Sequence, residues 1–165
     1  IPSLFDKLMS IMQDYPVDYY ILGQHFLDEE KPENYTGRKF QDRSRLQRYV
    51  DQVLEGLSTG KYAYLAHPDL IYFVGDQAIY REEMGRLCRE CCKMNIPLEL
   101  NRLGLYSERS YPSQEFFRIA AEEGNRVIIG YDAHEPAALM DEKTYQDCVA
   151  FARTLGITPD EAYRI

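Results

Sequence analysis

No apolar run in the 165-residue sequence approaches the ~20 residues that span a bilayer, and no secretory leader pattern is visible. The expectation is therefore no membrane partner. A glycine-rich phosphate loop and a G-x-S-x-G elbow are both absent. Phosphate cradling of the P-loop kind and serine hydrolysis lose their support with them. Basic residues are outnumbered, 19 Lys and Arg against 27 Asp and Glu, and the net charge of −8 argues against nucleic acid as a partner. A small anionic substrate stays open, because a bound dication reverses the local field. There is no disulfide framework: three of the four cysteines, Cys88, Cys91 and Cys92, fall in one predicted helix, with Cys148 apart. That layout predicts a reducing, cytoplasmic setting. Cys88-x-x-Cys91-Cys92 has no second pair at zinc-finger spacing and matches a buried helical stripe, so it reads as core. Internal repeats and low-complexity segments are missing too. The chain starts at Ile1 rather than Met, which is the expectation for a processed leader or a missing N-terminal part.

What is present is enough for one domain with a real core, since 45% of the residues are hydrophobic. Ser3 can cap a first helix carrying Leu4, Phe5, Leu8, Met9, Ile11 and Met12, stopped by Asp14-Tyr15-Pro16. Four strand–helix units follow. Val17 to Leu22 reads as a strand ending at Gly23-Gln24-His25, then a long polar loop over residues 26–43. A helix from Asp42 to Leu57 buries Leu46, Tyr49, Val50, Val53, Leu54 and Leu57. Tyr62 to Ala66 is the second strand, and a helix from Gln77 to Met94 buries Met84, Leu87, Cys88 and Cys91, with Asn95 as its left-handed terminator. Pro97 to Leu100 is the third strand; Ser113 caps a helix that stops at Gly124. Val127 to Ile129 is the fourth, followed by a helix with Tyr145, Cys148, Val149, Ala152 and Leu155, closed by Gly156. Thr158-Pro159-Asp160-Glu161 predicts a last short helix. Apolar strands alternating with amphipathic helices imply an α/β fold with a parallel sheet.

Parallel order puts all four strand C-terminal ends on one face, where α/β proteins place their chemistry. The chain's three histidines, His25, His67 and His134, all lie just past predicted strands, and Asp132 and Asn101 share that position. Imidazole and carboxylate suit a borderline divalent ion, and Zn²⁺, Mn²⁺ and Fe²⁺ fit such donors about equally. A single histidine is more often packed or solvated, but three at the same end of one sheet form a candidate centre. Asp69, after His67-Pro68, reads first as the cap of the following turn.

Four stretches in order carry a resemblance: Asp18-Tyr19-Tyr20-Ile21-Leu22-Gly23-Gln24-His25-Phe26, Ala66-His67-Pro68-Asp69-Leu70, Pro97-Leu98-Glu99-Leu100-Asn101 and Gly130-Tyr131-Asp132-Ala133-His134. With them the chain resembles the PHP family, named for polymerase and histidinol phosphatase domains, and within it the histidinol-phosphatase branch. The resemblance implies that residues 1–165 form a single PHP-like domain. It also implies parallel strand–helix units belonging to a distorted, seven-stranded (β/α) barrel of TIM-like form. The chain looks like the C-terminal two-thirds of such a protein. The family's opening His-x-His and bridging Glu are expected ahead of Ile1. The implied activity is metal-dependent hydrolysis of a phosphomonoester, L-histidinol phosphate in the type reaction of histidine biosynthesis, with two or three divalent ions. Another phosphoester, or a metal-binding fragment inactive alone, are the alternatives. His25, His67, Asp132 and His134 are the implied metal ligands, Asp132 and His134 the implied catalytic pair. Asn101, Arg102 and Arg109 are candidates for contacting the substrate. The last motif has Tyr131 where relatives commonly have serine, and shortly after Asn101-x-x-Gly104 stands Tyr106, where many have arginine, with Arg109 nearby.

Overall fold

The computed structural model describes residues 2–160. Among them β1 (Tyr20–Gly23), β2 (Tyr62–Ala66), β3 (Leu98–Asn101) and β4 (Val127–Gly130) form one sheet, parallel and in sequence order. Six α-helices alternate with them: α1 (Pro2–Met12), α2 (Arg43–Leu57), α3 (Gln77–Lys93), α4 (Arg102–Tyr106), α5 (Gln114–Glu122) and α6 (Glu142–Thr154). The architecture is α/β, consistent with part of a barrel-like fold.

Register explains the core. Leu22 lies opposite Leu65, Leu65 opposite Leu98, and Leu98 opposite Val127. Because side chains alternate along a strand, this row faces one way. It packs into a single cluster with Leu46, Tyr49 and Val53 of α2, Met84, Leu87 and Cys88 of α3, Phe116, Phe117 and Ala120 of α5, and Cys148 and Ala152 of α6. The alternate positions, Ile21, Tyr64 and Glu99, face the other way, and Ile21 is half-exposed there. Each full-length helix of this layer is started by a side chain. Asp42 accepts the Ser44 N–H and Asp76 the Ala78 N–H, both at 2.7 Å, and Ser113 accepts the Phe116 N–H at 3.2 Å. Such caps are each worth ~1 kcal/mol. Asn95, at φ 55°, turns the chain out of α3 as expected.

Several expectations shift. β1 starts at Tyr20 rather than Val17, and Val17 and Tyr19 are exposed. Ser3 lies inside α1, which begins at Pro2. The loop over 26–43 is more ordered than its polarity suggests: Phe26 bridges Tyr35, a 3-10 turn spans Pro32–Asn34, and Thr36 is fully buried with its hydroxyl on the His25 carbonyl at 3.0 Å. Helix α4 and a 3-10 turn at Pro136–Met140 were not anticipated. The helix expected from Thr158 onward falls largely on residues 161–165, outside the described residues. No described helix is long and apolar enough to cross a membrane.

Candidate functional site

The strand ends meet as the sheet requires. His25 follows β1 by two residues, His67 follows β2 directly, and their rings are 4.7 Å apart at 67°. Gly23 makes this approach possible. A Cβ there would stand 3.1 Å from His25 Cε1 and 3.2 Å from His67 Cε1, so a side chain would push both rings away. His67 and Asp132 both have positive φ, 29° and 48°. That region costs most L-residues ~1–2 kcal/mol, and strain of this kind gathers where function over-determines the backbone.

The His67 backbone is held by a buried carboxylate. Glu99 is 3% exposed, and its Oε2 accepts the His67 backbone N–H at 2.7 Å and Asn101 Nδ2 at 2.9 Å. Asn101 Nδ2 also reaches Asp132 Oδ2 at 3.2 Å, while Asn101 Oδ1 accepts the Gly104 N–H at 2.8 Å and starts α4. One buried network thus joins the ends of β2, β3 and β4. Burial raises the Glu99 pKa, against the two hydrogen bonds that favour its charged form. Gly130 is the space Glu99 occupies: a Cβ there would be 2.6 Å from Glu99 Cγ and nearer still to its carboxylate. Glu99 was not singled out as a site residue from sequence. The available signal was a lone carboxylate between two leucines in a strand whose four residues are all buried.

The His67-Pro68-Asp69 turn is pinned from behind. Tyr49 Oη, fully buried, donates to the Pro68 carbonyl at 2.9 Å. Asp69 is itself buried: Oδ2 accepts the Ser113 N–H at 2.6 Å, and Oδ1 has no hydrogen-bond partner. Asp69 therefore caps toward the start of α5, not the next turn. Burial pushes its pKa up to about 7. The same cause, reinforced by His25, pushes His67 down to about 4, leaving its ring neutral at pH 7.

The other predicted residues do not converge on the ring pair. His134 is exposed, and its Nδ1 contacts the Asp132 carbonyl oxygen at 2.8 Å. It lines a cavity of about 280 Å³ with Arg102, Tyr106, Glu135 and Asp141. Arg102 is buried, ion-paired to Asp141, and held between the Tyr106 and Tyr131 rings at 5.5 and 5.6 Å. Arg109 is exposed and donates to Tyr111 Oη at 2.7 Å, with the Tyr111 ring 5.9 Å from that of His67.

The donor chemistry fits a divalent cation in part. His67 Nδ1 is buried with no hydrogen-bond partner, beside a second imidazole, and neutral imidazole is the form that binds metal. Yet among the described residues no group of three His, Cys, Asp or Glu is placed to hold an ion. The His25 and His67 rings adjoin edge to face, Asp132 is tied to the His67 turn through Asn101 and Glu99, and His134 lines a separate cavity. No family model matches the chain, and no curated protein matches it.

Proposed function

We propose that this chain carries part of the site of a metal-dependent phosphomonoester hydrolase of the PHP type, in a distorted barrel, with L-histidinol phosphate as substrate. The observation that carries the reading is the His25–His67 pair over Gly23, with His67 and Asp132 both held at positive φ. On this reading His25, His67 and Asp132 offer metal donors, and His134 joins them once its loop turns inward. Two or three Zn²⁺, Mn²⁺ or Fe²⁺ ions held there would supply a hydroxide at neutral pH and stabilise phosphoryl oxygens. Glu99 and Asn101 hold the His67 backbone and the Asp132 carboxylate in place, and exposed Arg109 meets the phosphoryl group. Asn101 and Arg102, both buried, support the site from behind. Four free cysteines fit a reducing, cytoplasmic setting, and the acidity of the chain disfavours a nucleic-acid partner.

The test is phosphate release from histidinol phosphate by this chain joined to any segment that completes the site, with and without Mn²⁺ or Zn²⁺. Metal-dependent turnover that falls to background in the His25→Ala, Asp132→Ala double variant is expected. Metal-independent turnover that survives both substitutions would sink the reading. A second reading, an incomplete fragment without activity alone, is favoured by the four retained donors being too few for a full multi-metal site, with no three-ligand group among the described residues. Elemental analysis separates the two: two or more tightly held ions per chain count against it.

A further inference from the structure

Arg102 and Arg109 border the strand ends with opposite commitments. Arg102 is 2% exposed and spent on Asp141. Arg109 is exposed and, among the described residues, pairs with no carboxylate, although acidic side chains outnumber basic ones in the chain. What fixes Arg109 is a phenol. Tyr111 Oη accepts its Nη1 at 2.7 Å, and the guanidinium carbon lies 5.8 Å from the Tyr111 ring centre.

Tyr111 is built in rather than draped over the surface. It is 3% exposed. Its ring and carbonyl rest on bare Gly104, where a Cβ would stand 2.6 Å from Tyr111 Cδ2 and Cε2. On one side the Arg109 N–H reaches the Gly104 carbonyl at 2.9 Å; on the other the Ser113 N–H reaches Asp69 at 2.6 Å. Both ends of the segment are therefore tied to elements that also hold the site: α4 starts on Asn101, and Asp69 follows His67.

We propose that Tyr111 is a positioning residue for anion recognition: its hydroxyl holds the Arg109 guanidinium beside His67, and the remaining guanidinium N–H groups form the donor site for phosphoryl oxygens. The proposal rests on the phosphomonoesterase reading and adds the group that orients the substrate's phosphate. Charge-assisted donors of this kind are the strong ones for phosphate.

Inorganic phosphate is the probe, titrated into the 165-residue chain and followed by ³¹P line broadening, for the wild type, Tyr111→Phe, Arg109→Met and the double variant. Arg109→Met is expected to weaken binding by about 10-fold or more. Tyr111→Phe should weaken it about 3- to 10-fold with an unchanged melting temperature, and should add nothing on the Arg109→Met background. That non-additivity is what a packing role would not produce. Wild-type affinity in Tyr111→Phe, or full additivity, overturns the proposal. If all four proteins bind phosphate equally while wild type turns over histidinol phosphate, the Tyr111–Arg109 assignment alone fails. If wild type neither binds phosphate nor hydrolyses the ester, the underlying reading fails and takes this inference with it.

Discussion

Gly130→Ala should be among the most damaging single-methyl additions available to this fold. The new Cβ would stand 2.6 Å from Glu99 Cγ and overlap the carboxylate. The atoms nearest the new methyl all belong to the buried Glu99 side chain, so Glu99 must move. Its departure strands two buried donors, the His67 N–H and Asn101 Nδ2. Each unsatisfied donor costs ~1–3 kcal/mol, so the expected loss is about 2–6 kcal/mol, against the ~5–15 kcal/mol that holds a typical domain folded. With a urea m-value of ~2 kcal/mol/M, the unfolding midpoint should fall by roughly 1–3 M. The partner variant is Glu99→Ala, which strands the same donors and empties the space the methyl needs. The double variant should therefore unfold near the Glu99→Ala midpoint, with a coupling of about 2 kcal/mol or more relieving the sum of the singles. A Gly130→Ala midpoint within about 0.3 M of wild type, or additive costs in the double variant, would refute the view that Glu99 fills the space above Gly130.

Asp69 gives a pH prediction. Its pKa is pushed up to about 7 in the fold against ~3.9 in the unfolded chain, so between those values the folded chain keeps a proton the unfolded chain releases. Its contribution to stability is present at low pH and is lost as pH rises through about 7, on the order of 4 kcal/mol in all. Asp69→Asn should match wild type near pH 4 and become the more stable protein by pH 8, in urea melts with chelator present; a gap that does not change with pH would refute it. His67, pushed down to about 4, has the opposite slope: its contribution is lost as pH falls below ~6.5, and it cancels from the difference between the two proteins. Asp141→Asn keeps a side-chain acceptor for the Thr144 N–H but leaves the buried Arg102 charge uncompensated. A loss of ~3 kcal/mol or more is expected, read as a melting temperature lower by about 10 °C; a drop under ~2 °C would show that the tyrosine faces suffice for Arg102.

The layer of helices was legible because its signals are local and redundant. Asp42, Ser113 and Asn95 announce helix ends, and the stripes from Leu46 to Leu57 and from Met84 to Cys91 have only one way to be buried. β2 matched at both ends, while β1 began three residues later than its apolar pattern suggested. Val17 and Tyr19 are apolar without being buried, and composition does not distinguish the two. At the site, the sequence brought His25 and His67 to the same strand ends, since parallel order alone decides that. It did not foresee that His134 lines a cavity with Arg102 and Asp141, away from the ring pair, because four residues beyond β4 the backbone is free to turn either way. Nor did it foresee the Glu99 network or the Arg102 sandwich. Both depend on which side chains meet across strands and helices distant in sequence.

The left-handed backbone at His67 and Asp132 bears on how this protein responds to selection. Glycine would relieve the backbone strain at both, ~1–2 kcal/mol, but the buried His67 ring packs on His25 and Tyr111, so only at partly exposed Asp132 does a search for thermal stability alone have a downhill route, one that deletes a carboxylate. On the proposed reading, a library sorted by melting temperature would therefore enrich for chains that fold well and have lost the Asp132 carboxylate.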